Sequence, residues 1–454
     1  MRMPAVSVVL LTITTGAGVF SASAQPSTAG SVITITHVRV IDGTGQPPLE
    51  DQDVTIAGSR IRSVRPAAAD KPAGQIVDSS GKTLLPGLIN AHGHLALVDG
   101  TGNSAGYYTE PHVIAELRQY ERYGVLTMLS LGLNRDLVYQ VRAQQRAGTL
   151  DGTTVFSADR GIGVPGGAPA LPHQPDQLYQ PRTPQEAREA VDAAADRHAE
   201  FVKVWVDDAH GTLPKMSPDV YRAVIDEAHK RRIQVAAHVY ALADAKQLVA
   251  DGVDVLAHSV RDSQVDAQLL DAMKRRGTYY LPTLTVDASF FDFADHPELL
   301  HTPFFQHAVS ADTLAYFSSA AYRSKVADDP STAQHRHDFA QAAMNLKLAY
   351  DAGVKVGFGT DSGAMPSRVP GFAEHRELQL MVDAGLTPLQ AISCATRTNA
   401  ALLGISAHTG TIIPGKQADL LLVDGNPAIS ISDTEKIVAI WHAGKSVTPV
   451  TTSR

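Results

Sequence analysis

Three observations in the 454-residue sequence predict an α/β fold: a (β/α)8 barrel of the TIM type, inserted in a small β-sandwich domain built from both chain ends. Residues 85–402 alternate short apolar runs with amphipathic stretches, as parallel strands alternate with the helices that cover them. Both chain ends instead carry short alternating runs punctuated by Gly and Pro, which read as half-buried antiparallel strands. Polar residues close several of the central apolar runs, and in a barrel those positions gather on one face.

The elements follow in order. At the N-terminal end, strands are expected at 31–36, 38–41, 53–57 and 61–64, broken by Gly43, Gly45, Pro47, Pro48 and Gly58. At the C-terminal end they are expected at 418–423 and 437–441. Neither stretch is large enough for a good core alone, so residues 25–84 and 403–454 read as two halves of one domain. Between them, eight apolar runs (87–92, 125–131, 153–158, 201–206, 233–238, 253–258, 278–283 and 354–360) alternate with helical patterns such as 184–197, 219–231 and 263–276. A doubly wound open sheet is the competing topology, but no GxGxxG follows the first strand. One connection is abnormal. Residues 286–351 exceed the usual loop length and read as several helices rich in Phe, Tyr and His. Such an insertion either caps the barrel mouth or forms a contact between copies in a homo-oligomer. Its histidines (His296, His301, His307, His335 and His337) read as solvated groups rather than ligands.

Hydrophobic residues make up 44% and charged residues 19%, a globular composition that excludes wholesale disorder and collagen-like structure. A net charge of −8 gives no electrostatic footprint for nucleic acid. Cys394 is the single cysteine, so an intramolecular disulfide and a CxxC zinc ribbon are both excluded. Any metal must be held mainly by His, Asp, Glu or a lysine-derived oxygen, and 18 histidines make that feasible. Residues 1–24 read as a signal peptide: Arg2, an apolar or small stretch from Val6 to Thr15, then Ala22-Ser23-Ala24 before Gln25. The apolar run is shorter than the roughly 20 residues a spanning helix needs. The expectation is an exported protein, periplasmic or secreted, with a small-molecule substrate and no membrane partner once the leader is removed.

Chemistry collects at the strand ends. The first strand ends in His92-Gly93-His94, the fourth contains Lys203, the fifth ends in His238, the sixth in His258, and Asp361 follows the eighth. A His-x-His on a strand puts both imidazoles on one side, because the side-chain period is two. Gly93 leaves room between them. Imidazole is a common ligand for zinc and other first-row metals. Lys203 is the odd member: an ammonium binds no metal, and burying one unpaired among Phe201, Val202, Val204 and Trp205 is costly. Either its neutral amine has reacted with carbon dioxide to give an anionic carbamate, or it reaches the rim or pairs with Asp207 or Asp361.

With these residues the chain resembles the amidohydrolase superfamily, in its imidazolonepropionase-like and Xaa-Pro dipeptidase-like branch. Leu85-Pro86-Gly87-Leu88-Ile89-Asn90-Ala91-His92-Gly93-His94, the lysine strand, His238, His258 and Gly359-Thr360-Asp361-Ser362 carry the resemblance. So do the stretch from Ala384-Gly385-Leu386-Thr387-Pro388 to Leu403-Gly404 and the tail Gly410-Thr411-Ile412-Ile413-Pro414-Gly415-Lys416-Gln417-Ala418-Asp419-Leu420. The resemblance implies two divalent metal ions. His92, His94 and Asp361 would hold the more buried one, His238 and His258 the more exposed one, and a carbamate on Lys203 would bridge them. Zinc is the default ion, with manganese, cobalt and iron left open. It implies attack of a metal-bridging hydroxide on an amide carbon, with Asp361 as the catalytic acid and base.

The leading reading is hydrolysis of amide C–N bonds in a dipeptide, an N-acyl amino acid or a cyclic amide. A lactonase or phosphotriesterase on the same site is the alternative, and a non-catalytic scaffold is disfavoured because all six ligands are present. Tyr240 and Arg368 are candidates for holding a substrate carboxylate, and His375 resembles a histidine recurring after the last strand in this branch. Each also has a structural reading. Gly161-Ile162-Gly163-Val164-Pro165-Gly166-Gly167 reads as a flexible active-site loop rather than a phosphate cradle, since no helix N-terminus follows closely.

Overall fold

The computed structural model describes residues 32–68 and 72–450, so the expected leader at 1–24 lies outside the described residues. Strands from both chain ends join in one eight-stranded sheet. Val32–Val40 pairs antiparallel with Leu49–Ala57, which pairs with Arg60–Pro66. On the other side, Lys82–Pro86 lies between Val32–Val40 and Leu420–Asp424, and Ile437–His442 and Lys445–Val447 follow. Ile35, Val54, Ile56, Leu84, Leu420 and Trp441 meet in its core.

Two details depart from the expected pattern. The runs at 31–36 and 38–41 belong to one strand, interrupted by an irregularity at His37, which sits at φ 55°. Lys82–Pro86 and Gln75–Asp78 are strands that alternation does not reveal, and both run parallel to Val32–Val40. Thr83 to Pro86 are all buried, so this segment presents a continuous apolar run instead of an in–out rhythm.

The central strands, numbered here in chain order, are β1 (Leu88–Gly93), β2 (Val125–Ser130), β3 (Thr154–Ser157), β4 (Phe201–Val206), β5 (Gln234–Val239), β6 (Val255–Ala257), β7 (Tyr279–Leu281) and β8 (Lys355–Val356). All pair in parallel, in an arc of three (β3-β2-β1) and an arc of five (β4 to β8). Backbone hydrogen bonds join the arcs at both seams. Ala91 N–H donates to Phe358 O at 3.0 Å and Thr360 N–H to His92 O at 3.0 Å, while Ile162 N–H donates to Lys203 O at 2.8 Å. Two of the covering helices, Pro184–Asp196 and Ala267–Arg276, are capped by side chains. In Pro184–Asp196, Thr183 accepts from Glu186 N–H, proline opens the first turn, and Ala187, Ala190, Val191 and Ala194 supply the buried stripe.

Between β7 and β8 the insertion is a series of short helices ending in Thr332–Asp351. It has its own aromatic core: Phe293 packs against Phe305 and Phe317, each at 4.9 Å, and against Phe372 of the helix Phe372–Asp383. No helix of the described residues is long and apolar enough to cross a membrane.

Asn399 stitches the β1–β8 seam. Its Nδ2 donates to Ile89 O and Phe358 O, both at 2.6 Å, and its Oδ1 accepts from Phe358 N–H at 3.0 Å. Asn399→Ala removes all three bonds and takes away the side-chain partner of the buried Phe358 N–H. The expected loss is about 2–3 kcal/mol in urea unfolding, and a loss below about 0.5 kcal/mol would show that the seam does not depend on it.

Candidate metal centre

His92 stands near the end of β1, with His94 just beyond it, and Asp361 follows β8. The Nε2 atoms of His92 and His94 lie 3.1 and 2.9 Å from the same oxygen, Asp361 Oδ1. Donor atoms of the three residues all fall within 4.8 Å of one another. Room for this approach comes from Gly359, where a Cβ would sit 2.6 Å from that of His92. Asp361 and His258 adopt left-handed backbone, at φ 56° and 75°. Such conformations cost of order 1–3 kcal/mol each and persist only where the surroundings impose them. For Asp361, its N–H donates to His92 O at 2.7 Å.

The other predicted ligands converge on the same point. The ring of His258 is 4.6 Å from that of His92 and 4.4 Å from that of His238. Lys203 Nζ lies 3.5 Å from His92 Nε2 and 5.4 Å from the Trp205 ring centre. It is 1% exposed and makes no ion pair among the described residues. Asp207 is not its partner, because that carboxylate is taken by His238 Nε2 at 2.8 Å. Burial pushes the Lys203 amine down to about 7.

The arrangement of lone pairs fits a bound cation. His94 Nδ1 faces Gly132 O at 3.3 Å, and a carbonyl only accepts, so a neutral His94 turns a bare Nε2 toward the Asp361 carboxylate. Two acceptors at 2.9 Å need a proton or a cation between them. His238 donates from Nε2 to Asp207, which leaves Nδ1 bare, and His258 Nδ1 is engaged by Thr283 Oγ1 at 2.6 Å, which leaves Nε2. Burial pushes His92 down to about 3, lowers His238 and holds His258 well below the ordinary histidine range. These imidazoles are therefore neutral, the form that ligates metals. Burial alone would raise the Asp361 carboxyl, but the Arg368 charge beside it holds it well below the usual range.

His92, His94, Asp207, His238, His258 and Asp361 line one cavity of about 370 Å³, and Lys203 lies behind its wall. Tyr240 and Arg368 line it too, but both are engaged. The Tyr240 hydroxyl donates to Asp338 at 3.0 Å, and Arg368 pairs with Asp361 and donates to Ser289 Oγ and Val286 O, each at 3.0 Å. His375 is absent from the wall. Its ring is buried, with Tyr123 O at 2.8 Å and Thr434 Oγ1 at 3.0 Å on its two nitrogens. His335, expected to be solvated, is half-buried in the wall because the helix Thr332–Asp351 returns the insertion to the cavity. In the Gly-rich stretch, Gly161 sits at φ 81°, where a Cβ would meet the Trp205 ring at 2.5 Å. Here glycine serves close packing.

Sequence reasoning missed the supporting carboxylates. Asp207 directly follows β4, as Asp361 follows β8, so the same rule would have found it. Glu374 and Glu377 left no signal, since nothing in a helix pattern marks a buried glutamate. Glu374 accepts from Asn90 Nδ2 at 2.7 Å and from the hydroxyls of Thr360 and Ser362 at 2.8 and 2.7 Å. Glu377 accepts from the backbone N–H groups of Leu284 and Thr285, both at 2.8 Å. Burial raises Glu374 and pushes Glu377 up to about 7.

The model of the amidohydrolase family matches residues 83–452, and the chain belongs to that family. The ochratoxinase of Aspergillus niger is 26% identical over 275 residues, covering 58% of this chain and 49% of that protein. The chain thus spans about half the length of this curated relative in the match. The ochratoxinase crystal structure superposes with a TM-score of 0.70 at 22% identity, over 93% of this chain and 96% of that one. A Bifidobacterium longum protein provisionally described as a prolidase superposes with a TM-score of 0.73 at 26% identity, over 94% and 97%. A Xaa-Pro dipeptidase with methionine bound in its active site gives 0.72 at 24% identity, over 92% and 99%.

Asp207→Asn removes the charge that fixes the His238 tautomer. The expected result is metal affinity lowered about 10- to 100-fold in competition with a chelator, with an unchanged circular dichroism spectrum. Affinity within about twofold of the parent would show that Asp207 does not orient a ligand.

Proposed function

We propose that this chain is an exported, binuclear metal-dependent amidohydrolase that cleaves an amide C–N bond in a small substrate such as a dipeptide, an N-acyl amino acid or a cyclic amide. The observation that carries the reading is the convergence of four imidazoles and Asp361 on one cavity, beside a buried lysine that makes no ion pair among the described residues. Family membership and the names of the ochratoxinase and dipeptidase relatives support it. In this reading the two arcs form one (β/α)8 barrel, carried on a β-sandwich built from both chain ends. Export rests on residues 1–24.

His92, His94 and Asp361 would hold the more buried ion, His238 and His258 the more exposed one, and a Lys203 carbamate would bridge them. Zinc suits this nitrogen and oxygen donor set. When bound, divalent ions supply an acidified water, with its pKa lowered from 15.7 to about 7, and polarise a carbonyl oxygen. Asp361 takes the proton of the attacking water and delivers it to the departing nitrogen. The C–O bond forms, the C–N bond breaks, and the amine leaves carrying that proton. Arg368 pins the other Asp361 oxygen, so Oδ1 stays aimed at the two imidazoles.

An activity screen of the metal-replete protein against dipeptides, N-acyl amino acids, lactones and phosphotriesters tests the reaction class. Amide turnover is expected, whereas turnover of lactones or phosphotriesters alone would move the protein to the alternative class. Metal analysis should find about two divalent ions per chain. Chelation should abolish activity and added ions restore it, and full activity at one ion per chain would refute the binuclear reading.

Lys203→Arg keeps the charge but forms no carbamate, so it should lose metal and nearly all activity. Lys203→Ala leaves space for a small carboxylate, and acetate or propionate should restore part of its rate. If Lys203→Ala binds two ions and turns over at the parent rate, there is no bridge.

A further inference from the structure

The cavity beyond the metal-ligand cluster has a consistent chemical character. Trp205, Leu133 and Leu171 face it from the barrel side, and Val286 and Phe290 from the insertion side. Its cationic side chains are committed elsewhere. Arg261 is paired to Asp287 at 3.2 Å, and Arg368 is paired to Asp361. The Tyr240 hydroxyl is given to Asp338. No guanidinium in the wall is left to receive a substrate carboxylate.

Flat, fixed rings stand in its wall. Phe290 and His335 lie parallel, with centroids 3.6 Å apart and planes 3° from parallel. His335 cannot rotate freely, because its Nδ1 meets Asp287 Oδ1 at 3.1 Å, and Asp287 is itself buried against Arg261. Elsewhere in the wall the Trp205 ring is wedged by Gly132 and Gly161, where any Cβ would come within 2.7 and 2.5 Å of it. Rigid aromatic walls favour a flat apolar guest, since the order needed to stack it is already built in. A cavity of about 370 Å³ admits one such group beside the reacting amide.

We infer that the substrate is an amide carrying a bulky, uncharged aryl or arylalkyl group, which seats in the part of the cavity lined by Trp205, Phe290 and His335. This rests on the amide-hydrolase reading and names the substrate class of that same site.

The test compares N-benzoyl with N-acetyl derivatives of one uncharged amine, in the metal-replete protein and in Phe290→Leu and His335→Ala. Phe290→Leu keeps an apolar side chain and guards against loss of folding. In parallel, ligand-observed NMR compares binding of N-benzyl methanesulfonamide with N-methyl methanesulfonamide, neither of which is an acyl substrate. The benzoyl amide is expected to have kcat/KM about 10- to 100-fold above the acetyl amide. Each variant should cut that ratio about 2- to 12-fold, and the benzyl sulfonamide should bind more tightly than its methyl counterpart. Equal kcat/KM values, or a preference that both variants leave intact, would overturn the aryl site. No amide turnover with the benzyl binding preference preserved would sink the hydrolase reading and leave the aryl site standing.

Discussion

Everything in this molecule depends on keeping electron-rich groups close together away from water. Where β1 and β8 converge, the imidazole nitrogens of His92 and His94 face one carboxylate oxygen at about hydrogen-bond distance, and burial keeps His92 neutral. Such an arrangement is unfavourable unless positive charge lies between the donors. The remaining structure opposes its collapse. Asp361 and His258 are held in left-handed backbone, Gly359 lets β8 approach His92, and Arg368 holds the outer face of Asp361.

The helix Phe372–Asp383 is the anchor of this arrangement. Two carboxylates one turn apart on it, Glu374 and Glu377, reach different strand ends. One binds Asn90 together with Thr360 and Ser362, and the other binds the backbone after β7. Asn90 in turn accepts the His92 N–H at 2.9 Å. Thr285 joins the two ends by donating to Thr360 O at 2.7 Å. One helix therefore sets the relative positions of candidate ligands that lie far apart in sequence. The buried glutamates are expensive to desolvate, and each is matched by several donors, as a buried polar network must be.

How far this was legible follows from what sequence patterns encode. Apolar runs bounded by turn residues located all eight central strands within a few residues, because burial on both faces leaves an apolar run. The strand-end rule found five of the six ligand candidates for the same reason, since a polar residue closing an apolar run must face something, while Lys203 stood out as a charge inside an apolar strand. It did not reveal the pairing of Asp207 with His238, which comes from neighbouring strands, β4 and β5, lying in parallel register with Trp205 opposite His238. The role of His335 was invisible because it depends on where a long insertion returns to the cavity. Lys82–Pro86 was overlooked because a strand between two others shows no alternation. Arg368 and Tyr240 were placed at the cavity, yet their partners, Asp361 and Asp338, are visible only in three dimensions.

The most direct test of the central claim is a crystal structure of the metal-replete protein with anomalous data collected at the edge of the bound ion. The account predicts two anomalous peaks, one among His92, His94 and Asp361 and one beside His238 and His258, with carbamate density on Lys203 between them. A bare Lys203 amine with one peak, or none, would contradict it.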